Sequence, residues 1–278
     1  MQKNSQLITK EEIINDHRFK AVNIVPNVKD LHMFIARDLA DKIKVNNSQG
    51  QGTTAILPVS PLDYTILANI CNEENISCKD FVIINMDEFI TEDGNLISKN
   101  HPLSFSEYMD RSLYNLLKDD LKIPVENRIM PNPHDLGEIQ RIIDWRGKVD
   151  VCYGGFGISG HVAYNEPCSQ EELGDVEYDT LPTRIVNLVC ASRTQVAMST
   201  GGNLEAVPKK AITIGMKELM QAKEMHIIAM RSWQPAVFRK AMYGPITPLY
   251  PASYLQRHTN LKATIIEAVA ELPQLIPA

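Results

Sequence analysis

Short apolar runs alternate with helix-spaced apolar positions along most of the chain. Thr53–Leu57 (TTAIL) and Phe81–Asn85 (FVIIN) are continuous stretches of strand length. Val22–Val25, Val149–Tyr153, Ala211–Ile214, Met225–Met230 and Ala263–Glu267 have the same character. Between them, Leu31, Phe34, Ile35, Leu39 and Ile43 recur at the spacing of one helix face. Helical patterns also run from about Pro61 to Asn75 and from Ser104 to Leu117, where Ser104 and Glu107 predict a capping box. Continuous apolar strands separated by helices predict an α/β fold: an open, mostly parallel sheet with helices on both faces, in a single domain. Residues 1–20 are polar and predict an N-terminal extension, leaving 21–278 as the domain. In such sheets ligands bind beyond the carboxyl ends of the strands.

Three strand ends carry unusual residues. After FVIIN come Met86, Asp87 and Glu88, two adjacent carboxylates that are costly to bury unless used or paired. They suit either a turn or a general base at the lip of a pocket. After VDVCY comes a loop dense in glycine, Gly154 to Gly160, followed by His161 and, five residues on, Glu166. Gly155, Gly157 and Gly160 let the backbone turn tightly and approach a ligand. A histidine fixed by a carboxylate can shuttle protons near neutral pH; the plainer reading is a glycine-rich turn with a surface histidine. The same stretch matches GxGxxG, but Pro167 breaks any helix opening there, and no strand precedes Asp175 or Glu177. A dinucleotide site is therefore not expected. The third end, Pro58-Val59-Ser60-Pro61 after TTAIL, leads into a helix N-terminus, which favours anions but cannot wrap a phosphate as a glycine-rich loop does.

Composition adds mainly exclusions. Apolar residues make up 44% of the 278, charged residues 22%, and the formal charge of -6 is spread along the chain, so no basic nucleic-acid face is expected. The five cysteines include no CxxC pair, which argues against a zinc site or a disulfide framework and for a reduced compartment. No signal-like segment or membrane-length apolar run is present, so a cytoplasmic location is expected.

Taken in order, these clusters resemble the glucosamine-6-phosphate deaminase family, from about residue 20 onward. Asn85–Phe89 resembles its Asn-Met-Asp-Glu-Tyr, and His101-Pro102-x-Ser104-Phe105 its His-Pro-x-Ser-Tyr. Gly154–Pro167 resembles its loop Gly-Gly-x-Gly-x-Asp-Gly-His-Ile-Ala-Phe-Asn-Glu-Pro. Val207-Pro208-Lys209 and the segment after it resemble a further family stretch. The resemblance implies a Rossmann-like fold and ring opening, aldose–ketose isomerisation and loss of ammonia from an amino-sugar phosphate. It implies Asp87 as the base moving a proton between C1 and C2, His161 as the group assisting ring opening, and Glu166 as its partner. No metal or organic cofactor is implied.

The departures are equally specific. Ser159 stands where the family loop has an aspartate, and a serine supplies no negative charge. The family's phosphate loop is replaced by residues 58–61, its arginine by Thr200 and its lysine by Gln234, while Arg231 introduces a charge nearby. Arg184 occupies an arginine position that serves a regulatory site in some members. Ser60, Glu88, Gly155, Gly157, Ser159, Gly160 and Arg231 are the expected substrate-binding residues. The expected substrate is glucosamine 6-phosphate or a related amino sugar, including one without phosphate or with an anion held through Ser60 and Arg231. A non-catalytic sugar sensor and a sugar-lactone hydrolase are the alternatives. A homo-oligomer is compatible with the sequence, which does not set the oligomeric state.

Overall fold

The computed structural model describes residues 4–274. In chain order the elements are α1 (Lys10–Ile14), β1 (Phe19–Val25), α2 (Val28–Ser48), β2 (Thr53–Leu57), α3 (Thr65–Glu74), β3 (Phe81–Asn85), β4 (Asp87–Ile90), α4 (Phe105–Met109), β5 (Arg128–Ile129), α5 (Glu138–Arg146), β6 (Val151–Gly155), α6 (Gln170–Leu173), β7 (Arg184–Asn187), α7 (Cys190–Met198), β8 (Lys210–Thr213), α8 (Met216–Leu219), β9 (Met225–Ala229), α9 (Pro235–Tyr243), β10 (Leu261–Ile266) and α10 (Glu267–Ala270). Seven strands form a parallel sheet in the order β1-β10-β9-β6-β2-β3-β5. Every residue of β2 and β3 is buried, which is why these strands read as unbroken apolar runs. Helix α2 starts at Asn27, whose side chain accepts from the Asp30 N–H, and buries Leu31, Ile35, Leu39 and Ile43.

A second sheet departs from the sequence expectation. β4, β8 and β7 pair antiparallel around their own small core of Phe89, Ile97, Tyr164, Leu188, Ala197, Val207 and Ala211. Ala211–Ile214, expected in the parallel sheet, belongs largely to β8 here. One residue, Met86, joins the sheets: its N–H donates to the Leu57 carbonyl at the end of β2, and its carbonyl accepts from Ile214 beyond β8. The helix expected over Ser104–Leu117 is α-helical only to Met109 and continues as a π-helical turn, Asp110–Tyr114. Ser104 caps it, while the Glu107 carboxylate pairs with Arg111 instead of reaching back.

The N-terminal segment is tied to the sheet domain. Thr9 and Glu12 form a reciprocal capping box on α1, and Ile13 is fully buried in the main core. The buried Arg239 guanidinium donates to the carbonyls of Ile8, Val269 and Ala270. No helix among the described residues is long and apolar enough to cross a membrane.

Candidate active site

The carboxyl ends of β2, β3, β6 and β9 open onto one cavity of about 410 Å³. β2 contributes Pro58 to Pro61, the β3–β4 junction Met86 and Asp87, β6 Gly155 to Gly157, and β9 with the residues after it Ile228, Met230 and Arg231. Leu103, Phe105 and Tyr164 close one side; Ser192, Val196 and Met198 from α7 close another, with Trp233 and Gln234 beyond.

Asp87 and Glu88 separate here. They are neighbours on a strand, so their side chains take opposite faces. Asp87 lines the cavity and is 7% exposed. Burial foremost, and then the neighbouring Glu88 charge, push its carboxyl from 3.8 up to about 8. Glu88, expected to touch substrate, instead accepts hydrogen bonds from the N–H groups of Phe89 (2.9 Å), Phe105 (3.2 Å) and Ser106 (2.8 Å). It lies outside the cavity lining and anchors the first turn of α4 to β4. Burial raises its carboxyl, and those backbone donors oppose the rise.

His161 is held from behind. Its Nδ1 lies 2.9 Å from the Ser159 hydroxyl, 2.9 Å from the Ser192 hydroxyl and 3.4 Å from Glu166 Oε2. Ser159 also donates to Glu166 Oε2 at 3.1 Å, and Glu166 Oε1 accepts the Val189 N–H at the start of α7. Burial alone would raise the Glu166 carboxyl, but its contacts with His161, Ser192 and Ser159 outweigh this and hold it below its ordinary value. The Tyr164 ring stands edge-on to the imidazole at 5.5 Å. Ser159, Gly160 and Glu166 thus support the site without lining it, while Ser60, Gly155, Gly157, His161 and Arg231 line it.

Two glycines and an alanine shape the loop. A Cβ on Gly157 would sit 2.0 Å from His161 Nε2, so the imidazole rests directly against that backbone. Gly160 has φ +88 and presses on the Tyr250 ring, where a Cβ would come within 2.4 Å. Ala163, lining the cavity, has φ +51, a conformation that costs an L-residue about 1–2 kcal/mol and that the surrounding bonds must enforce. Those bonds are visible: the Tyr164 N–H donates to Thr213 Oγ1, and the Asn165 amide donates to the carbonyls of Val162 and Ile214. Arg184 donates to Asn165 Oδ1 at 2.8 Å, so its guanidinium braces this loop.

At Thr200 and Gln234, where the resemblance places phosphate ligands, the side chains are already satisfied. The Thr200 hydroxyl donates back to the Ala197 carbonyl at 3.1 Å. The buried Gln234 amide accepts from the N–H groups of Met230 and Arg231 and donates to the Phe156 carbonyl, each at 2.8 Å. Arg231 is exposed at the cavity, and its guanidinium has no hydrogen-bonded or ionic partner among the described residues. Apart from His161, it is the only Lys, Arg or His side chain in the described lining. Ser192 was not singled out in the sequence and sits in no motif; Trp233 entered only as a neighbour of Gln234 in Arg231-Ser232-Trp233-Gln234.

The residue set that could hold a metal lies elsewhere, at the early residues of β9. Asp38, Glu224 and His226 each bring one ligand atom within 4.8 Å of the others. Lys42 Nζ lies 3.0 Å from Asp38 and 3.2 Å from Glu224, and Lys262 Nζ 2.7 Å from Glu224, so two ammonium groups already balance two carboxylates.

Known proteins share sequence and fold with this chain. No family model matches the chain. A glucosamine-6-phosphate deaminase of Mycoplasmopsis pulmonis is 28% identical over 247 residues, covering 87% of this chain and 90% of its own length. One from Cronobacter sakazakii is 30% identical over 214 residues, covering 74% and 73%. Among solved structures, a monomeric glucosamine-6-phosphate deaminase superposes with a TM-score of 0.76 at 23% identity, covering 91% of this chain and 99% of that one. The 6-phosphogluconolactonase of Plasmodium vivax has the same fold, with a TM-score of 0.67 at 16% identity over 92% and 94%. With this extent of shared sequence, the chain belongs to the glucosamine-6-phosphate deaminase family.

Proposed function

We propose that the protein is an amino-sugar isomerase and deaminase, with Asp87, His161 and Glu166 as its working groups. The observation that supports this best is Asp87: a carboxyl pushed to about 8 faces the cavity that His161 also lines. A group with an affinity near neutrality can both take and return a proton. His161 Nε2, on the cavity side, exchanges a proton with the ring oxygen as the sugar opens. Asp87 then removes the proton on C2 of the 2-amino aldose and returns it to C1, leaving an imine at C2. Water adds to that imine, and ammonia leaves as the ketose forms. Glu166, reached through Ser159, stabilises the imidazolium formed along the way.

The far end of the sugar is read from the lining. A 6-phosphate is held by several cations and backbone donors, each charge-assisted bond contributing roughly 1.5–3 kcal/mol. Among the described lining residues Arg231 brings the one free guanidinium, and Ser60 of the loop after β2 lines the same cavity. This supports a sugar without phosphate, or one whose anion Arg231 and Ser60 hold alone.

Ammonia release from phosphorylated and free amino sugars tests the reaction, with sugar lactones as the competing substrates. Ammonia from none of the amino sugars, together with lactone hydrolysis, overturns the reading. Calorimetry tests the specificity: tight binding of glucosamine 6-phosphate that disappears in Arg231→Ala overturns the non-phosphorylated version.

A further inference from the structure

Ser192 has no role in the resemblance and no motif around it, yet it is 1% exposed and its hydroxyl points at the working histidine. It comes from α7, a different element from the loop that carries Ser159, His161 and Glu166. Its Oγ is 2.9 Å from His161 Nδ1 and 3.3 Å from Ser159 Oγ. Nδ1 therefore sits between two hydroxyls, one of which continues to the Glu166 carboxylate at 3.1 Å.

We propose that Ser192 is a positioning residue that, with Ser159, forms a two-hydroxyl clamp on His161 Nδ1, replacing the single charged aspartate expected at position 159. It rests on the amino-sugar reading for its kinetic consequence, but not for its geometry. The hydrogen inventory gives the clamp a direction. A carboxylate only accepts, so the Ser159 O–H is donated to Glu166. The Ser159 oxygen is then an acceptor, and Nδ1 must supply the hydrogen. Nδ1–H is shared between the two serine oxygens, and Nε2 is left with its lone pair towards the cavity, against Gly157. No proton leaves Nδ1 during turnover. When Nε2 accepts one, the imidazolium charge is stabilised by two hydroxyl dipoles and, one bond further, by Glu166.

The groups facing His161 are few. Glu166 is the nearest carboxylate, Tyr164 presents a ring edge, and Asp87 shares the cavity. From α7 only the uncharged Ser192 faces it, because the Arg193 guanidinium is turned to the carbonyls of Leu204 and Val207. With no ionised group at 159, the charge felt at Nδ1 is that of Glu166 alone, and the clamp contributes orientation more than basicity.

Histidine-labelled full-length protein tests this by nitrogen NMR, with His161 assigned by its loss in His161→Gln. The clamp requires the Nδ1–H tautomer in the resting protein. Ser192→Ala should mix in the other tautomer and lower kcat about tenfold at nearly constant KM, the size of one lost buried hydrogen bond. Ser192→Thr, which keeps the hydroxyl, should restore both. An Nε2–H tautomer in the unaltered protein, or an unchanged tautomer and kcat in Ser192→Ala, overturns the clamp. If the unaltered protein releases no ammonia from any amino sugar, the functional reading fails, and the tautomer measurement still decides the clamp.

Discussion

Two buried clusters in this protein combine a pair of carboxylates with a histidine, and they differ in how their charge is balanced. At the early residues of β9, Asp38 and Glu224 face Lys42 and Lys262. Burial alone would raise both acids, but the imidazole of His226 at 3.6 Å from each, the Tyr153 hydroxyl beside Asp38 and the two ammonium groups outweigh it. Glu224 falls to about 2, and Asp38 is held well below the usual carboxylate range. At the carboxyl edge of the same sheet Asp87 has no cation paired with it among the described residues, and burial foremost raises it to about 8. The first cluster is an internal scaffold whose carboxylates are balanced by ammonium groups. The second is left unbalanced, which suits proton transfer and costs stability.

The largest test of this contrast is Asp87→Asn. The amide keeps the shape and takes no proton, so turnover should fall by about 10²–10⁴-fold. Stability should move the other way. A carboxyl raised in the folded state contributes fully below its ordinary 3.8, and that contribution is lost as pH rises through about 8. Asp87→Asn should therefore unfold at higher urea than the unaltered protein at pH 8, by on the order of 2–5 kcal/mol, with the gap closing towards pH 4. Near-normal ammonia release, or no gap at pH 8, breaks the contrast.

Gly157→Ala comes next. The methyl would displace the imidazole, and turnover should drop about 10–100-fold with an unchanged circular dichroism spectrum. A smaller effect, on the scaffold side, is Lys42→Ala, which leaves two buried carboxylates short of a cation. Urea unfolding at pH 7 should show a loss of about 1–3 kcal/mol, with turnover within about twofold. The lowered affinities of Asp38 and Glu224 give stability that is present above their ordinary values and lost as pH falls towards about 2, so this loss should shrink in acid. His226→Gln should have the smallest effect on turnover, within about twofold, against about a hundredfold for His161→Gln. Equal losses from the two would erase the distinction between the clusters.

The parallel strands and the edge that carries the cavity were legible in the sequence, for a physical reason. TTAIL and FVIIN are buried on both faces of a parallel sheet, so nothing polar interrupts them, and their ends locate the cavity. The small sheet was not legible. β4 reads Asp-Glu-Phe-Ile, and β7 is four residues with alternate positions exposed, so neither has an apolar run. That omission caused the misreading of Glu88. Once residues 87–90 are a strand, alternation alone sends Asp87 and Glu88 to opposite faces. Ser192 had no local signal, because its partner is in a loop 31 residues away. The scaffold cluster was equally hidden: Asp38, Glu224 and His226 meet only when α2 packs over β9.

The single residue between the sheets has a further consequence. Asp87 follows Met86 onto the small sheet, whereas His161 follows β6 of the large one, and Tyr164, three residues on, packs into the small core. The spacing of Asp87 and His161 is thus an inter-sheet dimension, open to change by repacking Phe89, Leu188 and Val207 without altering the parallel sheet. Substitutions in that small core would change how far apart the two side chains stand while leaving both in place.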